Sequence, residues 1–254
     1  QVGLEHQGRE AFQELDYRQV FGPIAKYATE ITDVRRIADI IRRAWSMAIS
    51  GRPGPVVVAL PEDILTQIAD ISIPQQKINT PLGGAMPQDV LQLSEKMQGA
   101  QRPVIMVGGG GWTDLDRSAL QKCVSEANIP VITAFRYHDL FDNTDPLYLG
   151  EAGVGMTANT KRILREADVV LAVNLRFGEM TTDAFSLFGP ERTGQWIAQT
   201  HRSGDEFHKY VSPDLAMICS PSAVLLSLRD RLARSYMQVD TTWGAAARAG
   251  FETT

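Results

Sequence analysis

Ser50-Gly51-Arg52-Pro53-Gly54-Pro55-Val56-Val57-Val58-Ala59-Leu60-Pro61-Glu62-Asp63 is the stretch that decides how this chain is built. Gly51 suits the left-handed residue that ends a helix, and Pro53 and Pro55 forbid its continuation. The unbroken apolar run 56–60 then suits a strand covered on both faces. Upstream, Val34, Ile37, Ala38, Ile41, Trp45 and Ala48 recur at helical spacing. That spacing predicts an amphipathic helix over 33–50 with these residues on the apolar face that packs on a sheet. Before it lie only a short segment at 10–14 and a helical turn near 17–27. One strand and two helices do not complete a doubly wound layer, so a partial α/β domain is expected at the start of the chain.

Composition narrows the classes. The 254 residues are 44% hydrophobic and 22% charged, the balance of an ordinary globular protein, so disorder is not expected. A formal charge of −5 with acids and bases interspersed argues against nucleic acid or an anionic membrane surface as partner. Cys123 and Cys219 have no metal or redox spacing and are expected as small buried residues of a reducing compartment. No apolar run reaches the length of a membrane span and no signal peptide is seen, so the cytoplasm is the expected location. The first residue is Gln1 rather than methionine, which fits a truncated chain and would fit tag removal equally.

From 64 to 87 the pattern loosens into Ile-Pro, Thr-Pro, Gly-Gly and Met-Pro, a proline-bearing connector. Beyond it, helix and strand signals alternate. Pro87 suits the first turn of a helix to about residue 98, and 103–107 is an apolar strand followed by Gly108-Gly109-Gly110-Gly111. A helix follows with Leu115, Leu120, Cys123, Val124 and Ala127 inward and Thr113 or Asp114 as N-cap. A strand is expected at 130–135, then a long loop, a helix at 158–166 and a strand at 169–173. Two more strands, 195–200 and 215–219, lead to a helix capped by Ser220 with Pro221 at its first position. Strands separated by helices call for right-handed crossovers and a parallel sheet with helices on both faces. The expected fold is therefore α/β, a doubly wound, Rossmann-like, six-stranded parallel sheet preceded by a partial α/β domain remnant.

In such sheets ligands bind beyond the carboxyl ends of the strands, where strand order reverses. Gly108, Gly109 and Gly110 let backbone N–H groups approach a phosphate at a helix start, and equally let a strand turn sharply into a helix. The spacing is not the dinucleotide fingerprint G-x-G-x-x-G. Arg176, just past a strand end, suits a phosphate through its planar fork, or a salt bridge to Glu179 or Asp183. His201 and His208 lack a partner at metal spacing and are expected to make surface or hydrogen-bonding contacts. Ser118, Ser203 and Ser220 have no nucleophile-elbow context, so no catalytic triad is expected. No metal site is expected within the chain.

Several blocks carry a resemblance that spans nearly all of the chain. They are Gly8-Arg9-Glu10-Ala11-Phe12-Gln13-Glu14, Pro23-Ile24-Ala25-Lys26, the helix and turn into 50–56, and Pro61-Glu62-Asp63. The later run 103–110, Ile129-Pro130-Val131, and Ala167-Asp168 leading to Arg176-Phe177 continue it. Together these are similar to the acetolactate-synthase-like branch of thiamine-diphosphate-dependent enzymes. The resemblance implies a C-terminal remnant of a pyrimidine-binding domain at 1–66 and a linker at 67–86. It implies a Rossmann-like central domain at 87–236, and at 237–254 the start of a linker to a pyrophosphate-binding domain outside the chain. It further implies a carboligase or decarboxylase acting on a 2-oxo acid with thiamine diphosphate and Mg2+. The glutamate that activates the thiamine ring and the segment that holds magnesium would lie outside these residues, so the chain by itself is expected to be inactive. Phe12, Gln13 and Lys26 occupy positions that line the family's active site, although Phe12 read without the resemblance is a core side chain.

The family's central domain binds FAD in some members and ADP or nothing in others. Gly109, Gly110 and Arg176 match its diphosphate-contacting positions. The acidic residue expected after the fifth strand is replaced around Gln199-Thr200-His201, and Phe-Asp-Asp-Arg is here Phe177-Gly178-Glu179-Met180, so a degenerate nucleotide site is expected. Two alternatives of other classes stand beside the enzyme fragment. One is a stand-alone FAD- or ADP-binding module. The other is a structural piece that ties subunits together, in keeping with a homodimer or homotetramer.

Overall fold

The computed structural model describes residues 1–192, 194–234 and 242–252. They form two compact units, Gln1–Pro81 and Leu82–Thr254.

The first unit is built around a strand–helix–strand crossover. A short helix, α1 (Tyr17–Phe21), starts at Asp16, whose carboxylate accepts the Gln19 amide at 3.0 Å. It stops well before residue 27, because Gly22 closes its last turn and Pro23 has no N–H to carry it on. The chain then enters β1 (Tyr27–Glu30), a strand where the spacing suggested only the end of a helical turn. A 3-10 turn leads into α2 (Ile37–Ile49), and β2 (Val56–Ala59) pairs in parallel with β1, Tyr27 opposite Val56 and Glu30 opposite Ala59. Gly51 takes φ +51°, the left-handed conformation its position calls for. A last short helix, α3 (Glu62–Thr66), follows, and residues 67–86 carry no helix or strand.

The buried face of α2 differs from the expected one. Ile40 and Ala44 are its buried residues, with Ile37 packed on the Ile31–Ile40–Ile64 cluster, whereas Ile41 and Trp45 are 44% and 60% exposed. The helix carries two adjacent apolar stripes, and spacing alone does not say which one faces the sheet.

The second unit is a six-stranded, wholly parallel sheet. Its strands are β3 (Pro103–Val107), β4 (Val131–Ala134), β5 (Tyr148–Ala152), β6 (Val169–Val173), β7 (Trp196–His201) and β8 (Leu215–Ile218). They lie in the order β5-β4-β3-β6-β7-β8. Counted from β3, that order is 3-2-1-4-5-6, the Rossmann arrangement. The edge strand β5 occupies what the sequence suggested was a long loop. Gly150 and Glu151 weaken its strand signal, and pairing with β4 across a register irregularity holds it.

Helices α4 (Pro87–Gln98), α5 (Asp114–Ala127) and α7 (Pro221–Ala233) share one apolar layer, and α6 (Ala158–Glu166) belongs to the other. Alternate residues of β3 serve the two layers: Ile105 and Val107 face one, Val104 and Met106 the other. Cys123 and Cys219 are buried free thiols in the first layer, and burial pushes each up to about 12. A final helix, α8 (Thr242–Glu252), lies against α6 and β5. Asn159 donates to the Ala247 carbonyl at 3.2 Å, and Arg248 donates to that of Tyr148 at 2.8 Å. The expected boundary between 236 and 237 falls outside the described residues. No helix among the described residues is long and apolar enough to cross a membrane.

Candidate functional site

The sheet's topology places one opening above all others. From β3 the chain winds outward through β4 to β5, then returns to the other side of β3 as β6. The loops leaving β3 and β6 therefore diverge and leave a crevice between them. A cleft of about 290 Å³ lies there, with Gly109, Arg136, Tyr137, Arg176, Glu179 and Met180 among its walls. Gly108, Gly109, Gly110 and Arg176 are thus brought to one edge of the sheet.

Side chains of the same unit hold the glycine run. Asn174, 1% exposed and left-handed at φ +52°, donates its amide to the carbonyls of Gly108 at 3.2 Å and Gly110 at 3.1 Å. The Trp112 indole donates to the Gly108 carbonyl at 2.8 Å, and Arg202 donates to that of Gly111 at 2.6 Å. Gly109 has φ +71°, and a Cβ there would meet the Asn174 backbone oxygen at 2.2 Å. This turn admits glycine for an internal reason.

The start of α5 is closed by a capping box. Thr113 is the N-cap; its N–H and hydroxyl donate to one Asp116 oxygen at 2.9 and 2.7 Å, and its hydroxyl accepts the Asp116 amide at 3.2 Å. The other Asp116 oxygen accepts the Ser222 amide at the start of α7, at 2.8 Å. Burial pushes this carboxyl up, but the hydrogen bonds from Thr113 and Ser222 outweigh it and hold the group below its ordinary value. One carboxylate thereby satisfies donors of two helix starts.

Arg176 pairs with neither of its expected partners. Its Nε donates to Glu206 at 3.1 Å, while Asp183 is taken by Lys161 at 2.7 Å. Glu206 is 3% exposed at its side chain and holds Lys209 through its other oxygen at 3.0 Å. His201, 4% exposed at the end of β7, accepts the Ser203 amide at 3.0 Å on Nδ1.

In the first unit, the Glu14 carboxylate folds residues 8–14 around itself, accepting the Gly8 amide at 2.5 Å and the Ala11 amide at 3.1 Å. These two bonds lower its pKa. The loop presents Phe12 outward at 88% exposure beside exposed Gln13, left-handed at φ +65°, so Phe12 is not a core side chain of this unit. Lys26 donates its ammonium to the Ser50 carbonyl at 2.5 Å, where α2 ends, and partial burial lowers its pKa. Among the described residues no group of three or more His, Cys, Asp or Glu is placed to hold a metal ion.

Sequence reasoning passed over Asn174, Glu206 and Asp116. Asp116 had a legible signal, the threonine three residues before it in a capping pattern. Glu206 had none, standing thirty residues from Arg176.

Residues 90–228, which include both walls of the cleft, match the family described as thiamine pyrophosphate enzyme, central domain. The chain belongs to this family. Its likeness to curated members extends across both units. It is 28% identical over 240 residues to acetolactate synthase isozyme 3 large subunit of Escherichia coli (strain K12), covering 92% of the chain and 41% of that protein. It is 30% identical over 249 residues to a probable acetolactate synthase large subunit of Methanocaldococcus jannaschii, covering 96% and 42%. With the mitochondrial acetolactate synthase catalytic subunit of Saccharomyces cerevisiae, identity is 31% over 224 residues, 84% and 32% of the two chains. This thiamine pyrophosphate family chain thus spans less than half the length of the curated relatives it matches.

Proposed function

We propose that this chain serves a thiamine-diphosphate-dependent carboligase or decarboxylase of the acetolactate-synthase type, acting on 2-oxo acids. It contributes the central domain and the strand–helix–strand segment before it. The observation that carries this reading is the likeness to a probable acetolactate synthase large subunit over 96% of the chain, which corresponds to only 42% of that protein. On this reading thiamine diphosphate and Mg2+ are held by parts of the protein that correspond to the rest of the relatives' length. The domain assignment follows the same reading: 1–66, 67–86, 87–236 and 237–254 are the remnant, linker, central domain and onward linker.

The first unit's contribution to such an active site is the Glu14-braced loop. A side chain as exposed as Phe12 excludes water only when something is seated against it, and Gln13 beside it orients a carbonyl by hydrogen bonding. Lys26, whose ammonium is bonded to the Ser50 carbonyl at the end of α2, is on the same reading a further residue lining that site. A homodimer or homotetramer is proposed for the assembly, supported by Ile24 and Trp45, 72% and 60% exposed on the first unit.

The test is acetolactate formation from pyruvate with thiamine diphosphate and Mg2+, measured for residues 1–254 and for the polypeptide extended to its relatives' length. Turnover is expected only in the extended protein. There Phe12→Ala and Gln13→Ala should lower kcat by roughly tenfold or more, as loss of a positioning or carbonyl-orienting group does. An extended protein that folds, binds thiamine diphosphate and turns over no 2-oxo acid would refute the function. Turnover by residues 1–254 alone would refute the incompleteness.

A further inference from the structure

We propose that Glu206 is a resident counter-anion for Arg176 and, by holding that side chain at the switch-point cleft, sets the cleft against nucleoside and dinucleotide diphosphates such as ADP and FAD. The inference concerns the second unit alone and stands whether or not the proposed catalytic function holds.

A diphosphate at the carboxyl edge of such a sheet draws on three things: an available guanidinium, helix-start N–H donors, and a carboxylate for the ribose hydroxyls. Here the first is partly engaged. Arg176, whose side chain is 48% exposed, offers its Nε–H to a Glu206 carboxylate that is 3% exposed, at 3.1 Å. A phosphate that took this guanidinium would have to compete with a buried carboxylate that also holds Lys209, at 3.0 Å. Stripping one partner from a buried pair is strongly unfavourable, whereas the internal carboxylate gives up no translational freedom in binding.

The second requirement is met from within. The N–H groups of Thr113 and Ser222 point to Asp116, itself 1% exposed, so a negative charge already sits at both helix starts. For the third, the end of β7, Gln199, Thr200 and His201, supplies no carboxylate. Glu179 adds a further acidic side chain to the cleft wall. Within the glycine run, the feature that most suggests phosphate, Gly109 is required by the close approach of Asn174.

Calorimetric titration of the chain with FAD, ADP and inorganic pyrophosphate tests this directly. The wild-type protein should show no saturable binding below about 1 mM. Glu206→Gln frees the guanidinium, and pyrophosphate affinity should rise at least about tenfold, a gain removed again by adding Arg176→Gln. Should Glu206→Gln fail to fold, Glu206→Asp retracts the carboxylate by one methylene while keeping the buried charge, and a gain of roughly threefold is expected. Micromolar binding of FAD or ADP by the wild type, flavin absorbance co-purifying with it, or a folded Glu206 variant without gain would each overturn the proposal.

Discussion

Replacing Gly109 and Gly110 one at a time by alanine separates an internal reason for the glycine run from a ligand-binding one. At Gly109 the backbone sits at φ +71°, where an L-residue with a Cβ is disfavoured by about 1–2 kcal/mol. The new methyl would also lie 2.2 Å from the Asn174 carbonyl oxygen and 2.8 Å from its amide nitrogen. The first of these is backbone and cannot rotate away, so the strand ends must part, an overpacking penalty of about 1–3 kcal/mol. The sum is about 2–5 kcal/mol, which for a unit of this size lowers Tm by roughly 5–15 °C. At Gly110 a Cβ would meet nothing within 4 Å, and φ lies outside the left-handed region. Its replacement should stay within about 0.5 kcal/mol of wild type.

Thermal and urea denaturation of the two variants measures both values. If the run existed to let a diphosphate approach, neither change would need to affect the empty protein, and Gly110 would matter as much as Gly109. A Gly109→Ala protein melting within about 1 °C of wild type, or a Gly110→Ala protein falling as far as Gly109→Ala, would refute the reasoning.

Asp116→Ala removes a cap and strands the Ser222 amide, so a loss of about 2–4 kcal/mol at neutral pH is expected by urea denaturation. Because the folded carboxyl lies below its ordinary value of 3.8, its contribution is complete above that value and is lost as pH falls through the folded one, so the gap to wild type should narrow below about pH 4. Cys123 and Cys219, fully buried with thiols near 12, should resist a disulfide reagent at pH 8 until global unfolding, and rapid labelling of native protein would contradict that burial.

Elements whose signal is local were plain in the sequence. Proline at a helix start and serine at a cap place α4 and α7, and five consecutive apolar residues place β3 and β6, both buried at every position. What the sequence hid was decided by partners remote along the chain. β1 and β5 carry Ala28, Glu30, Gly150 and Glu151, poor strand formers that are strands only because β2 and β4 lie alongside. The orientation of α2 was hidden for the same reason, since the choice between its two apolar stripes belongs to Ile31 and Ile64, outside the helix. At the cleft, the glycine run and Arg176 were visible as chemistry, but their state was not. Whether an arginine is available depends on a glutamate that no periodicity links to it, and whether a glycine is required depends on how close the backbone of an asparagine just past another strand comes.

The two units differ in how far their own residues account for their order. In the second, apolar layers cover both faces of the sheet, and α5, α7 and β3 lock together through fully buried Leu120, Val124, Leu225 and Ile105. In the first, the buried cluster is three isoleucines, and the strand residues 27, 28, 56, 57 and 58 are only half-buried on a two-stranded sheet. Two parallel strands and one crossover helix bury too little apolar surface to offset the ordering of some eighty residues. The side chains that would extend that core are present but face outward, Ile41 and Trp45 on the second stripe of α2 and Ile24 before β1. Their exposure has the same sense as the outward-facing Phe12 and Gln13. The first unit thus carries an apolar stripe and loop-borne side chains that its own small core leaves exposed, whereas the second covers its sheet from within.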